Sequence, residues 1–324
     1  LREALEIFMT AYYTIELIDI ERKQELIEHY SERALYEMKS DIYGCCIKLL
    51  TSIEAIKNRW EDNFYSASQN IRSHGRLYVL SESTEAKSKV YYDPQSKTAF
   101  LFNFEYYGWV KSIALSLASD ILEDEHGIWS VHGACLDVRG RGICIIGGSG
   151  SGKTTHTYGL LRSPQVRVVS DDWFFARIFG NDILAYGSEK NFYVRADLSD
   201  IWKEYAWLMQ RADLDEKARS VIDIRWIIGK GRILPLSTLE LIIILKRDPH
   251  DTVKVKELES SQAKQIAKEN SYFNPHLLVV NHFKDDLRQT FFSKLFNTVK
   301  AFQVNTAGTP EESQEIISHI VWNR

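Results

Sequence analysis

The sequence predicts an α/β fold in which a mixed sheet surrounds a phosphate-binding loop, preceded by a helical N-terminal region. Three observations carry this expectation. The stretch Gly147-Gly148-Ser149-Gly150-Ser151-Gly152-Lys153-Thr154 fits the Walker A pattern at every fixed position, between an apolar run and a helix-like segment. A second strand-like run lies directly upstream, joined to the first by a short glycine-containing turn, so the sheet includes an antiparallel pair. Residues 1 to about 72 hold no proline and a single glycine, Gly44, and their apolar residues recur at helical spacing.

In the N-terminal region, Ile42, Cys46, Leu49, Leu50, Ile53 and Ile56 form the apolar stripe, and Glu21, Lys23, Glu25 and Glu28 a solvated face. Two or three helices are expected over 1–72, with packing or homo-oligomerisation as their role, and 73–324 is expected to form the nucleotide-binding domain. From Arg76 the period changes. Leu77–Leu80, Lys89–Tyr92 and Ala99–Phe102 read as strands separated by turn signals that include Asp93-Pro94, and Tyr107–Leu122 reads as a helix. Val131–Val138 and Ile143–Ile146 form the hairpin into the loop, followed by a helix to Leu161 and a strand Val166–Ser170. Phe174–Ile178 and Ile183–Tyr186 flank a Gly180-Asn181-Asp182 turn. Residues 198–220 are expected to be helical, Leu239–Leu245 a buried strand, and Ser260–Asn270 and Lys284–Lys300 helices. A strand Ala301–Val304 and a helix from Pro310 complete the chain.

The loop's glycines let successive backbone N–H groups turn inward around a phosphate chain, a path a Cβ would block. The helix that follows brings its positive end to the anion. Lys153 would reach the β- and γ-phosphates, and the Thr154 hydroxyl would ligate Mg²⁺. Asp171 and Asp172, at the end of the next strand, lie eighteen and nineteen residues past Lys153. One carboxylate could hold Mg²⁺ and the other could take a proton from an attacking hydroxyl. Arg195, Arg225 and Arg232 are candidate contacts for an anionic acceptor.

The formal net charge is −4 and no Lys/Arg block occurs, so neither nucleic acid nor an anionic membrane surface is an expected partner. The four cysteines form no C-x-x-C pair and read as buried thiols of a reducing compartment. No apolar run reaches the ~18–20 residues that span a bilayer, and no signal peptide is visible. The cytoplasm is the expected location.

The block His132-Gly133-Ala134, Gly142 to Gly147, Gly152-Lys153-Thr154 and Ser170-Asp171-Asp172 resembles the catalytic core of the HPr kinase/phosphorylase family. That family stands with the phosphoenolpyruvate carboxykinases in one structural group. The likeness covers residues 131–172, is looser towards the C terminus, and does not extend to 1–72. It implies a phosphoenolpyruvate carboxykinase/HPr kinase-like core with ATP and Mg²⁺ as cofactors. The implied reaction moves a phosphoryl group to a hydroxyl-bearing acceptor, a serine that is free or in a peptide or protein. Residue by residue, it implies that Gly147, Gly148, Ser149, Gly150, Ser151, Gly152, Lys153, Thr154 and Thr155 hold the nucleotide. One of Asp171 and Asp172 is the base, and His132 stands close to the reacting groups. The family's Glu-x-Arg-Gly signature is absent, and Glu189 is the nearest substitute for its metal-binding Glu, beside Thr154 and Asp172. Two other readings are a nucleotide-dependent regulatory ATPase or switch and a carboxykinase-like lyase acting on an oxo-acid.

Overall fold

A computed structural model of the chain describes residues 7–9, 13–82, 88–210 and 219–323. It divides into two units, one of residues 1–127 with 275–285, the other of 128–274 with 286–324.

The first unit corrects the expectation of an all-helical N terminus and moves the boundary from residue 72 to 127. It is an eight-stranded sheet with helices. In chain order it contains β1 (Ile7–Met9), β2 (Thr14–Leu17), α1 (Ile20–Tyr30), β3 (Tyr36–Ile42), β4 (Cys45–Thr51), α2 (Glu54–Asn63) and β5 (Tyr65–Ser66). Then come β6 (Gly75–Leu80), β7 (Lys89–Asp93), β8 (Thr98–Phe102) and α3 (Tyr107–His126). The strand order is β1-β2-β7-β8-β6-β4-β3-β5. The apolar stripe read as a helix over Ile42–Leu50 is a hairpin. Tyr43 and Gly44 both take positive φ, at 49° and 82°, and Asp41 Oδ1 accepts from the Gly44 N–H to close the turn. Its second strand is buried enough that apolar residues fall at helix-like intervals by coincidence, which is how β4 imitates a helix. The strands and helix expected from Leu77 to Leu122 are present, and Gly127 in the left-handed region ends α3.

The second unit opens with β9 (Ile128–Val138), β10 (Arg141–Gly147), α4 (Lys153–Leu161), β11 (Val166–Ser170), β12 (Trp173–Phe179) and β13 (Asp182–Gly187). It continues through β14 (Phe192–Arg195), α5 (Leu198–Ile201), α6 (Ala206–Met209), β15 (Arg219–Ile222), α7 (Ile224–Ile228) and β16 (Leu236–Lys246). It closes with β17 (Val255–Leu258), α8 (Ser260–Glu269), α9 (His282–Thr298, whose first residues count with the first unit), β18 (Lys300–Asn305) and α10 (Pro310–Trp322). The helix expected over 198–220 is replaced by the short helices α5 and α6 and by β15, and residues 211–218 lie outside the described residues.

The long strands β9 and β16 are each shared by two groups of strands. The C-terminal half of β9 pairs antiparallel with β10 and β11, and its N-terminal half with β12. β16 starts beside β13, then runs parallel to β10 and β18. The expected hairpin into the glycine loop is therefore β9–β10, closed by Arg139 and Gly140, both at positive φ. β10 is buried on both faces. Ile143 and Ile145 enter one core cluster with Tyr158, Leu161 and Ile317, while Cys144 and Ile146 enter the opposite one with Phe291 and Leu295. Helices on both faces of parallel strands leave the strand ends as the place where loops converge, which is where such sheets bind ligands.

Candidate functional site

The glycine loop leaves β10 at Gly147, beside Leu245 of the parallel strand β16, and enters α4 at Lys153. Gly150 and Gly152 take φ of 77° and 96°. Ser151 folds the loop on itself: its Oγ donates to the Gly148 carbonyl at 2.8 Å and its N–H to the same oxygen at 3.3 Å. The first amides of α4 have no intrahelical acceptor, as at any helix start. Lys153 Nζ donates to the carbonyls of Gly147 at 3.0 Å and Gly148 at 3.3 Å. Burial holds its pKa below the usual lysine value, against the opposing pull of the Asp172 charge. Thr154 and Thr155 are half-buried in the first turn of α4, and the Thr155 carbonyl accepts from the Trp202 indole at 2.8 Å.

The Asp pair reaches the loop through strand register. Along one edge of β9, Ser170 lies opposite Cys135 and Trp173 opposite His132, so Asp171 and Asp172 pass Ala134 and Gly133. Across the other edge, Gly133 faces Ile146, the residue before the loop. Two inter-strand steps, about 10 Å, thus separate the backbones of Asp172 and Ile146. Gly133 permits this close fit: a Cβ there would lie 2.5 Å from Ile146 Cγ2 and 2.8 Å from the Ile145 carbonyl. By alternation His132 shares the face of Ala134 and Leu136, on which α4 packs.

The two aspartates are not equivalent. The Asp171 residue is 4% exposed and its Oδ2 accepts from the Tyr193 N–H at 3.2 Å. The Asp172 side chain is 31% exposed, and its Oδ1 lies 3.0 Å from His132 Nε2. A carboxylate only accepts, so Nε2 carries the proton of that bond. The imidazole stacks on Trp173, with ring centres 5.5 Å apart at 22°. A proton acceptor, an oriented imidazole and a lysine ammonium within reach of the carboxylate's charge are thereby gathered beside a loop of amides. Such a set can hold a polyanion and remove a proton from a hydroxyl.

Glu189 is half-buried in the segment after β13. The neighbouring Ser188 Oγ donates to the Trp173 carbonyl at 2.7 Å, which anchors that segment one residue from the Asp pair. Among the described residues no three His, Cys, Asp or Glu side chains group as a metal cage. The three arginines are each engaged within the protein. Arg232 donates to the carbonyls of Leu161, Ser163 and Val166, at the end of α4 opposite the loop, so it serves as a helix cap rather than an acceptor contact. Arg225 is paired with Asp223 and Arg195 with Asp197. The residues that sequence reasoning missed are Ser188, Tyr193 and Thr306, the last with its hydroxyl 2.8 Å from the Ser151 carbonyl. They reach the site from other stretches of the chain, and no local pattern marks them.

No described helix is long and apolar enough to cross a membrane. No family model matches the chain, and no curated protein matches it. Among solved structures, the HPr(Ser) kinase/phosphatase from Coxiella burnetii is a distant likeness at 12% identity, with a TM-score of 0.35, over 60% of this chain and 97% of that one.

Proposed function

We propose that the protein is an ATP- and Mg²⁺-dependent kinase that transfers the γ-phosphoryl group to a hydroxyl, with serine, free or in a peptide, as the acceptor class. The observation that carries this reading is the His132–Asp172 pair beside the glycine loop, with Lys153 electrostatically linked to Asp172.

The loop's positive-φ glycines, with amides at the start of α4 that lack an intrahelical acceptor, fit a phosphate chain. The Thr154 hydroxyl and a carboxylate of the Asp pair, with Glu189 as a further candidate, would hold Mg²⁺. An ion that keeps most of its water and takes phosphate oxygens needs no protein cage. When bound, Mg²⁺ supplies neutralisation of the phosphate charge. The remaining steps belong to the chain. Asp172 accepts the acceptor's hydroxyl proton while the acceptor oxygen forms its bond to the γ-phosphorus and the bond to the departing nucleoside diphosphate breaks. His132 donates to Asp172 and keeps the carboxylate aimed. Lys153 leaves the loop carbonyls for the phosphates and offsets the charge that develops on them. Asp171, whose Oδ2 accepts from the Tyr193 N–H, is the other carboxylate of the pair and would serve the Mg²⁺.

The test is incubation with γ-labelled ATP, Mg²⁺ and separate acceptors: free serine, serine-containing peptides, HPr and oxaloacetate. Label should appear on one hydroxyl acceptor. Lys153→Ala and Asp172→Asn should each lower the rate on the order of 10²–10³-fold, as loss of one charge-stabilising or proton-accepting group does. Label released only as free phosphate selects the regulatory switch, and oxaloacetate-dependent release of CO₂ selects the lyase. Full turnover in Lys153→Ala would sink all three.

A further inference from the structure

The C-terminal part of the second unit reaches back to the glycine loop at Thr306, the residue after β18. Thr306 is buried, and its backbone N–H donates to the Lys246 carbonyl at 2.8 Å. Its hydroxyl lies 2.8 Å from the Ser151 carbonyl and 3.1 Å from that of Lys246. A hydroxyl has one proton to give. Lys246 O already holds the backbone donor, so the shorter contact, to Ser151, takes it. The mount is rigid. The Asn305 amide donates to the carbonyls of Asp248 and Asp251, both at 2.8 Å, and its Oδ1 accepts from the N–H groups of Asp248 and Ala307.

The grip falls on a peptide that needs one. Gly152 follows Ser151 at φ 96°, and a glycine restrains the peptide plane before it less than a residue with a Cβ does. In a trans peptide the C=O of one residue and the N–H of the next point in opposite directions. A hydrogen bond that fixes the Ser151 carbonyl therefore also fixes where the Gly152 N–H points, away from Thr306. We propose that Thr306 is a positioning residue for nucleotide binding: its hydroxyl locks the Ser151–Gly152 peptide so that the Gly152 N–H faces the phosphates. The assignment rests on the nucleotide reading above and adds to it a determinant 155 residues away from the loop it serves.

The test measures Mg-ATP binding by calorimetry on the full chain as wild type, Thr306→Val, Thr306→Ala and Thr306→Ser, together with each protein's urea midpoint. The valine variant keeps shape and the backbone bond and removes only the hydroxyl. Loss of one hydrogen bond's net worth should weaken binding about tenfold in the valine and alanine variants. The serine variant should return to within about twofold of wild type. In turnover the loss should appear in KM, with kcat little changed. Wild-type affinity in Thr306→Val overturns the assignment while leaving nucleotide binding intact. Serine as weak as alanine also overturns it, because the methyl and not the hydroxyl would then carry the effect. A wild-type chain that binds no Mg-ATP removes the nucleotide reading itself.

Discussion

At the scale of single residues, the site depends on how closely strands approach. Gly133 lies where β9 passes the end of β10, and a methyl group there would press on Ile146 and the Ile145 carbonyl. Gly133→Ala should cost about 2 kcal/mol of stability, the usual result of forcing a methyl into a packed core. It should also separate His132 and Asp172 from the loop. Equilibrium urea unfolding reads the first effect and the phosphotransfer rate the second. An unchanged urea midpoint would mean that the strands part without strain. The loop glycines, Lys153, Thr154 and the Asp pair were legible in the sequence because each group is contiguous and its spacing follows from local geometry. The division of labour between Asp171 and Asp172 was not. It depends on Tyr193 and on His132, which lie 22 and 40 residues from their partners.

Among elements, α4 and α10 show what tertiary contact adds to a motif. His156, on the first turns of α4, is buried, and its Nδ1 lies 3.0 Å from Gln314 Oε1 on α10. Gly159 makes room for the same side chain, since a Cβ there would lie 2.1 Å from Gln314 Oε1. Burial pushes the His156 pKa below 6.5, with the Gln314 bond opposing the shift. The sign follows from linkage. Below pH 6.5 the unfolded chain protonates its histidine while the folded one resists, so the unfolded state binds more protons and stability falls as pH drops. This contribution stops growing once pH passes below the folded-state pKa. His156→Gln should flatten that part of the acid limb, as read from urea midpoints between pH 6.5 and 5. A limb of unchanged slope would assign the acid sensitivity to other groups. The β3–β4 hairpin teaches the converse lesson. Its turn signal, Gly44 after Asp41, was present, but the buried strand β4 lacks the polar alternation that distinguishes a strand from a helix.

On the scale of the whole molecule, each unit has its own buried organisation. In the first, Asp120 on α3 accepts from the Tyr92 hydroxyl at 2.6 Å and pairs with Lys97 at 2.7 Å and Lys284 at 2.8 Å. Both lysines also pair with Asp124. Desolvation alone would raise the Asp120 pKa, but Lys284 and Lys97 overcome it and hold the carboxyl below the usual aspartate value. The stability it contributes is present above the unfolded-state pKa and is lost as pH falls through the lower folded-state value. Asp120→Asn should cost about 3 kcal/mol, the low end for breaking a buried pair, because Asp124 keeps a carboxylate beside both lysines. Chemical denaturation at neutral pH checks this, and a loss below about 1 kcal/mol would class the cluster with surface pairs. Lys284 thereby ties the segment 275–285 to α3 within the first unit, although that segment follows most of the second in sequence. In the second unit, β9 carries His132 and Gly133 and also apolar residues of both core clusters, Ala134 and Leu136 in one and Val131 and Cys135 in the other. Inserting or deleting one residue there would turn the downstream side chains inside out. Such a change would abolish folding and chemistry in a single event, so descendants of this chain can vary at its loops far more freely than along that one ribbon.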